Sequence, residues 1–225
     1  MLKARKIPVQ TRSVAGYFYS LKNGRNVEFE SQLEKKFFLS FEFDDSIEKY
    51  QEQPVKIDAI LSGRKISYFP DCLLWFKPEL NVVPLLIEIK YLKEIIEKKE
   101  KIANKARAVS AYARENGMSF KILTDRRMNE TYMDNIKFLY RYWQKPKAAG
   151  KYERRILSAV ADGGLNVAGI LDRISPVLME KAEALPVIWH LVFTKRLAAN
   201  LYLPLTNSAF LTACEPKEAG YALVP

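Results

Sequence analysis

The sequence predicts an α/β fold in which a mixed sheet flanked by helices is followed by a second, smaller domain. Three observations predict it. β-Branched and aromatic runs at 55–61 and 65–76 flank the turn Ser62-Gly63-Arg64 and read as a hairpin. An apolar strand at 82–91, a charged helix at 92–116 and a strand at 119–124 form a strand-helix-strand unit. A polar stretch of small residues, Gln144 to Gly150, then separates these elements from a tail of helices and a strand pair.

In chain order, residues 1–26 are basic and punctuated by glycine, which reads as loop or short strand. Residues 27–43 place Leu33, Phe37, Phe38 and Phe41 at helical spacing and predict a helix. The hairpin follows, then the strand VVPLLIEIKY. In 92–116, Ile95, Ile96, Ile102, Ala103 and Ala106 keep helical spacing up to the helix-ending Asn116-Gly117. The strand at 119–124 should then lie parallel to the one at 82–91 through a right-handed crossover. A short helix at 131–143 precedes the linker, which predicts domains 1–145 and 146–225. Helices at 152–161, 165–174 and 187–200 with a strand pair in 201–223 suggest a winged-helix-like domain, whose role is contact with DNA or with a protein partner.

Composition limits the function classes. Hydrophobic residues make up 48% and charged residues 28% of the 225, the balance of a folded chain. The formal net charge is +10, of which +8 falls in residues 1–146, so the first domain should attract a polyanion, nucleic acid first. No apolar run reaches the roughly 18 residues of a membrane span. With no secretory signal at its start, the chain is expected to be soluble and cytoplasmic, on the nucleoid when active. Cys72 and Cys214 are widely separated in apolar settings and read as core thiols. His190, the single histidine, is flanked by Ile188, Trp189, Leu191 and Val192 and reads as a core residue, which argues against histidine-based catalysis. No Walker-type phosphate loop is present, so ATP hydrolysis is not expected.

The chemistry lies in Tyr68-Phe69-Pro70-Asp71, followed 17 residues after Asp71 by Glu88-Ile89-Lys90. On a strand, Glu88 and Lys90 share a face while Ile87, Ile89 and Tyr91 take the other. A carboxylate within so apolar a strand needs compensation. If the strands of Asp71 and Glu88 pair, both carboxylates can converge on one divalent cation with Lys90 beside them. Hard oxygen ligands for Mg²⁺ and an ammonium to orient water or offset charge are what phosphodiester hydrolysis needs. The spacing fits the PD-(D/E)xK nuclease motif. The structural alternative is an Asp and Glu salt-bridged to Lys. Glu34 falls on the apolar stripe of the first helix, where a carboxylate is out of place, and Glu30 lies one turn earlier on the same stripe. Either can be a further ligand, or either can merely border the stripe. On and after the charged helix, Lys105, Arg107, Arg114, Lys121, Arg126 and Arg127 have little acidic company and are the candidate phosphate contacts. The first half of that helix alternates lysine with glutamate and reads as a solvated face.

Gly24-Arg25-Asn26-Val27, Leu33-Glu34, Phe38-Leu39-Ser40-Phe41-Glu42-Phe43, Gln53-Pro54, Tyr68-Phe69-Pro70-Asp71, Glu88-Ile89-Lys90 and Thr124-Asp125, in one order over about residues 12–143, resemble the TnsA endonucleases of heteromeric bacterial transposases. The resemblance implies a restriction-endonuclease-like sheet. It makes Glu34, Asp71 and Glu88 the catalytic, metal-binding carboxylates, with the Ile89 backbone carbonyl as a further ligand and Lys90 as the catalytic lysine. It prefers Glu34 to Glu30, and it implies Mg²⁺, with Mn²⁺ able to substitute. Its further implications are cleavage of double-stranded DNA at the 5′ ends of a mobile element, on the non-transferred strand, and action beside a DDE transposase of the TnsB type and an ATP-dependent regulator of the TnsC type. A stand-alone nuclease and a non-catalytic DNA-binding subunit are the alternatives.

Overall fold

The structure is a computed structural model that describes residues 15–61 and 64–214. The turn at 62–64 lies partly outside them, as do residues 1–14 of the basic arm and the end of the strand pair expected in 201–223. The chain forms two compact units that divide between Met128 and Asn129.

The first unit opens with a hairpin of β1 (Gly16–Ser20) and β2 (Arg25–Phe29), turned at Gly24, whose φ of +62° suits glycine. Helix α1 (Gln32–Phe43) follows. The expected helix over 27–43 is therefore corrected at its start. Val27 and Phe29 are buried on alternate positions of a strand, and the helix begins only after Ser31, which caps it. The hydroxyl of Ser31 accepts from the Glu34 N–H at 3.1 Å, and Glu34 stands three residues on, so the pair reads as a capping box.

β3 (Ile47–Glu52), β4 (Ile57–Leu61), β5 (Arg64–Tyr68), β6 (Cys72–Phe76), β7 (Leu85–Lys90) and β8 (Ser119–Thr124) follow, with α2 (Leu92–Glu97) and α3 (Lys99–Glu115) between the last two. The main sheet has the order β3-β6-β7-β8, antiparallel except for the parallel pair β7 and β8. The expected strand–helix–strand pairing is present. The long second strand of the expected hairpin is instead two strands. β5 pairs with β4 alone, the chain breaks at Pro70-Asp71, and β6 enters the main sheet. Proline lacks the N–H that an uninterrupted ladder needs, which accounts for the break. β3 was not anticipated, since IEKYQE shows little apolar alternation. The charged helix is likewise divided near Lys98 into α2 and α3.

The sheet has two covered faces. Leu85, Ile87 and Ile89 of β7 pack with Cys72, Leu74, Leu123 and the α1 residues Leu33, Phe37, Phe38 and Phe41. Leu86 packs the other way, with Leu73, Tyr68 and the α3 residues Val109 and Ala113. Both faces of β7 are thus in a core, as its unbroken apolar run requires.

The second unit contains α4 (Glu130–Leu139), α5 (Ala149–Val160), β9 (Leu165–Asn166), α6 (Val167–Ile174), α7 (Leu178–Phe193), β10 (Leu197–Ala199) and β11 (Phe210–Ala213), with sheet order β10-β11-β9. α4, placed ahead of the linker by sequence, sits in this unit. Its Asn135 side chain donates to the carbonyls of Leu201 and Leu203 at 2.8 and 2.7 Å and accepts from Leu205 N at 3.1 Å. α7 starts well before residue 187 and carries Pro186 inside it, tolerated because Ala184, Val187, Ile188 and Leu191 bury its face. It ends where Lys195 takes φ +57°, and 197–199 is strand, not helix. His190 is buried, its Nδ1 2.8 Å from the Tyr142 carbonyl. Cys72 and Cys214 are not joined in a disulfide.

Candidate active site

Asp71 lies just ahead of β6. The β6–β7 register pairs Cys72 with Ile87, and continued by one residue it sets Asp71 opposite Glu88. Asp71 Oδ2 accepts from the Ile89 main-chain N–H at 2.6 Å, which ties the loop end to β7. Glu88 and Lys90 share a face of β7, as alternation requires, on the side of α3. The Lys90 ammonium stands 2.7 Å from Glu88 Oε1, 3.4 Å from Asp71 Oδ2 and 3.0 Å from the Ile89 carbonyl oxygen. One positive charge therefore touches three of the four donors expected for a metal ion.

Glu34 approaches from α1, on the other face. Its Oε2 accepts from the Glu30 N–H at 2.7 Å and its Oε1 from the Ser31 hydroxyl at 2.9 Å, so its carboxylate is turned back on the start of its own helix. Among the described residues no three acidic, histidine or cysteine side chains already stand together as a metal cage. The structure joins Asp71 and Glu88 through Lys90 and couples Glu34 to Asp71 by charge.

The electrostatics follow from burial. Burial, with the Asp71 charge, pushes the Glu34 carboxyl up to about 7, against the pull of its hydrogen bonds. Asp71 and Glu88 are also raised, first by burial, with Lys90 opposing in both cases. Burial works to lower Lys90, but Asp71 and Glu88 together outweigh it and keep the ammonium charged. Glu88 is only 5% exposed, and its Oε2 is buried with no hydrogen-bond partner. A carboxylate oxygen so placed lacks the compensation it needs. A hard cation would supply it, so these residues fit a divalent ion.

Beside Glu88 and Lys90 a cavity of about 100 Å³ is lined by Tyr68, Glu94, Lys98, Lys101, Lys105 and Ile122, among others. Lys105 Nζ stands 4.4 Å from the centre of the Tyr68 ring. Of the basic residues marked in the sequence, Lys105 lines this cavity, and Arg126 and Arg127 are exposed just past β8, at the Lys90 end of the sheet. Arg107 is exposed and bonded to Asn104. Arg114 lies roughly 20 Å down the axis of α3 from Lys101 at 1.5 Å per residue, away from the site. Lys121 has the parity of Leu123, on the α1 face, whereas the cavity is on the face of Ile122. Sequence reasoning missed Lys98 and Lys101, which it took for a solvated face. The signal was their spacing from Lys105, which sets all three on one side of the helix pair.

Glu42 is a structural acid. It accepts from Leu21 N at 2.9 Å, Lys22 N at 3.2 Å, the Tyr50 hydroxyl at 2.7 Å and the Ser20 hydroxyl, and so fastens the hairpin to α1 and β3. Arg25 donates twice to the buried Glu52, at 2.7 Å each, joining β2 to β3. Neither acid is available to a metal.

A mixed sheet whose central antiparallel pair carries an aspartate, a glutamate and a lysine at one end defines a nuclease domain of the restriction-endonuclease-like class. A family model described as TnsA-like endonuclease N terminal matches residues 44–125, and another described as TnsA endonuclease C terminal matches 128–201. The chain belongs to the TnsA-type endonuclease family. The first match contains Asp71, Glu88 and Lys90, while Glu34 stands ahead of it. No curated protein matches the chain. No helix among the described residues is long and apolar enough to cross a membrane.

Proposed function

We propose that this chain is the endonuclease subunit of a cut-and-paste transposase. It hydrolyses the phosphodiester at the 5′ ends of the mobile element, on the non-transferred strand, and acts with a DDE transposase and an ATP-dependent regulator. The observation that carries this reading is the meeting of Asp71, Glu88 and the Ile89 carbonyl at one ammonium, because three oxygens within reach of one cation are within reach of another.

Asp71, Glu88 and the Ile89 carbonyl would hold Mg²⁺, or Mn²⁺ in its place, with Glu34 joining from α1. The unpaired Glu88 Oε2 supports that assignment. When bound, the ion neutralises the phosphate and lowers the pKa of water. The chain's own groups do the rest. Lys90, kept protonated by its two carboxylates, is placed to orient the attacking water or to offset charge on the phosphate. Asp71 holds the Ile89 N–H and so fixes the β7 backbone at the reacting end. Lys98, Lys101 and Lys105 offer charge to the neighbouring phosphate.

The order of helices and strands in the second unit supports a winged-helix-like reading. The start of α7, which in such a domain meets a major groove, exposes Val177, Leu178 and Met179 in place of cations. That favours a protein partner over DNA at this surface.

The test is Asp71→Ala in a cleavage assay on transposon-end DNA with the transposase and Mg²⁺ present. Cleavage should fall to background while DNA binding stays equal or strengthens. An unchanged cleavage rate would remove the nuclease assignment.

A further inference from the structure

Glu30 stands just ahead of the Ser31 cap, four residues before Glu34 in α1, and not on the helical stripe expected from sequence; the structure gives both a place. The main chain of Glu30 is bonded to the Glu34 carboxylate at 2.7 Å, and its own carboxylate Oε1 accepts from Gln53 Nε2 at 2.9 Å. Gln53 follows β3 with φ +41°, a left-handed conformation uncommon outside glycine. Its main-chain N–H donates to the Asp71 carbonyl at 3.0 Å. One residue thus grips Glu30 through its side chain and Asp71 through its backbone. The charge on Glu30 is felt at both Glu34 and Asp71.

Gln53 is 6% exposed, and its Oε1 is buried without a hydrogen-bond partner. The bond to the Glu30 carboxylate fixes which end of the amide is nitrogen, so the unpaired atom is the oxygen. A neutral amide oxygen is a hard donor suited to the surroundings of a divalent ion, which keeps several of its waters when bound. Partners of this kind orient the ligands of a metal and tune its affinity.

We propose that Gln53 is a positioning residue of the nuclease site: it holds Glu30 beside Asp71, so that Glu30 and Glu34 act together, and its buried Oε1 would serve as an acceptor in the surroundings of a bound cation. The inference rests on the nuclease reading.

The experiment is titration calorimetry of Mn²⁺ into the whole chain without DNA, with thermal unfolding of each variant. Gln53→Met keeps the bulk and removes the amide. Mn²⁺ affinity should fall about 10- to 100-fold, the usual effect of losing such a partner. Glu30→Gln, which keeps an acceptor for Nε2 but removes the charge, should weaken binding on the same scale. The double variant should lose less than the sum, because the two residues act through one bond. Should Gln53→Met fail to fold, Gln53→Gly, which suits φ +41°, answers the same question: reduced affinity supports the proposal and wild-type affinity overturns it. Wild-type affinity in Gln53→Met beside lost binding in Asp71→Ala overturns this inference and leaves the nuclease reading standing. Wild-type affinity in Asp71→Ala as well overturns the reading beneath it.

Discussion

Glu34 serves two ends at once, and its protonation separates them. As a capping residue it accepts from Glu30 N and Ser31 Oγ, while burial and Asp71 raise its carboxyl to about 7 from the ordinary 4.5. A carboxyl raised on folding supports the fold while protonated. Its contribution is full below pH of about 4.5 and is lost as pH rises through about 7. The metal-free chain should therefore lose stability over that window relative to Glu34→Gln, which does not titrate. Mg²⁺ should recover part of the loss above pH 7, where the ionised form can bind it. Thermal unfolding across pH, with and without Mg²⁺, reads this out, and a constant difference between the two proteins from pH 5 to 8 would contradict it. Glu34 was legible as misplaced on an apolar stripe, but its capping bonds were not, because they depend on where the helix starts.

At the scale of elements, the site exists because β6 begins at Cys72 and α1 begins at Gln32. Ser31→Ala removes the cap that holds the first turn and should cost about 1 kcal/mol, measured by urea unfolding. Mn²⁺ affinity should drop with it if the turn carries Glu34 to the site. The helix pair makes a different contribution. Lys98, Lys101 and Lys105 stand beside Glu88, whereas Arg114 lies at the far end of α3. Lys101→Ala and Lys105→Ala should each lower the slope of log affinity against log salt by about 0.9 for duplex DNA, and Arg114→Ala should leave it unchanged. Equal effects from all three would mean that DNA runs along the whole helix. The strand pair carrying Asp71 and Glu88 was legible from its motif spacing. Its partner β3 was not, since three charged residues in IEKYQE hide a strand whose Tyr50 and Glu52 are buried by other elements.

For the whole molecule, the charge is the main guide. Residues 1–128 carry +7 of the +10, so DNA affinity should reside mainly with the nuclease unit. The purified chain alone should cut transposon-end DNA poorly and gain activity when the transposase is added. Robust cutting without the transposase would favour a stand-alone nuclease. Sequence by itself determined the strand-helix-strand unit and marked Asp71, Glu88 and Lys90 as neighbours, because alternation and motif spacing are local properties of the chain, and the resemblance carried by those motifs pointed to the family. Only the tertiary structure decided that α4 belongs to the second unit, that Lys98 and Lys101 border the site, that Lys121 faces away from it, and that Gln53 joins Glu30 to Asp71. Those facts depend on which face of the sheet each element covers, and burial against a distant segment leaves no periodic mark in the segment itself.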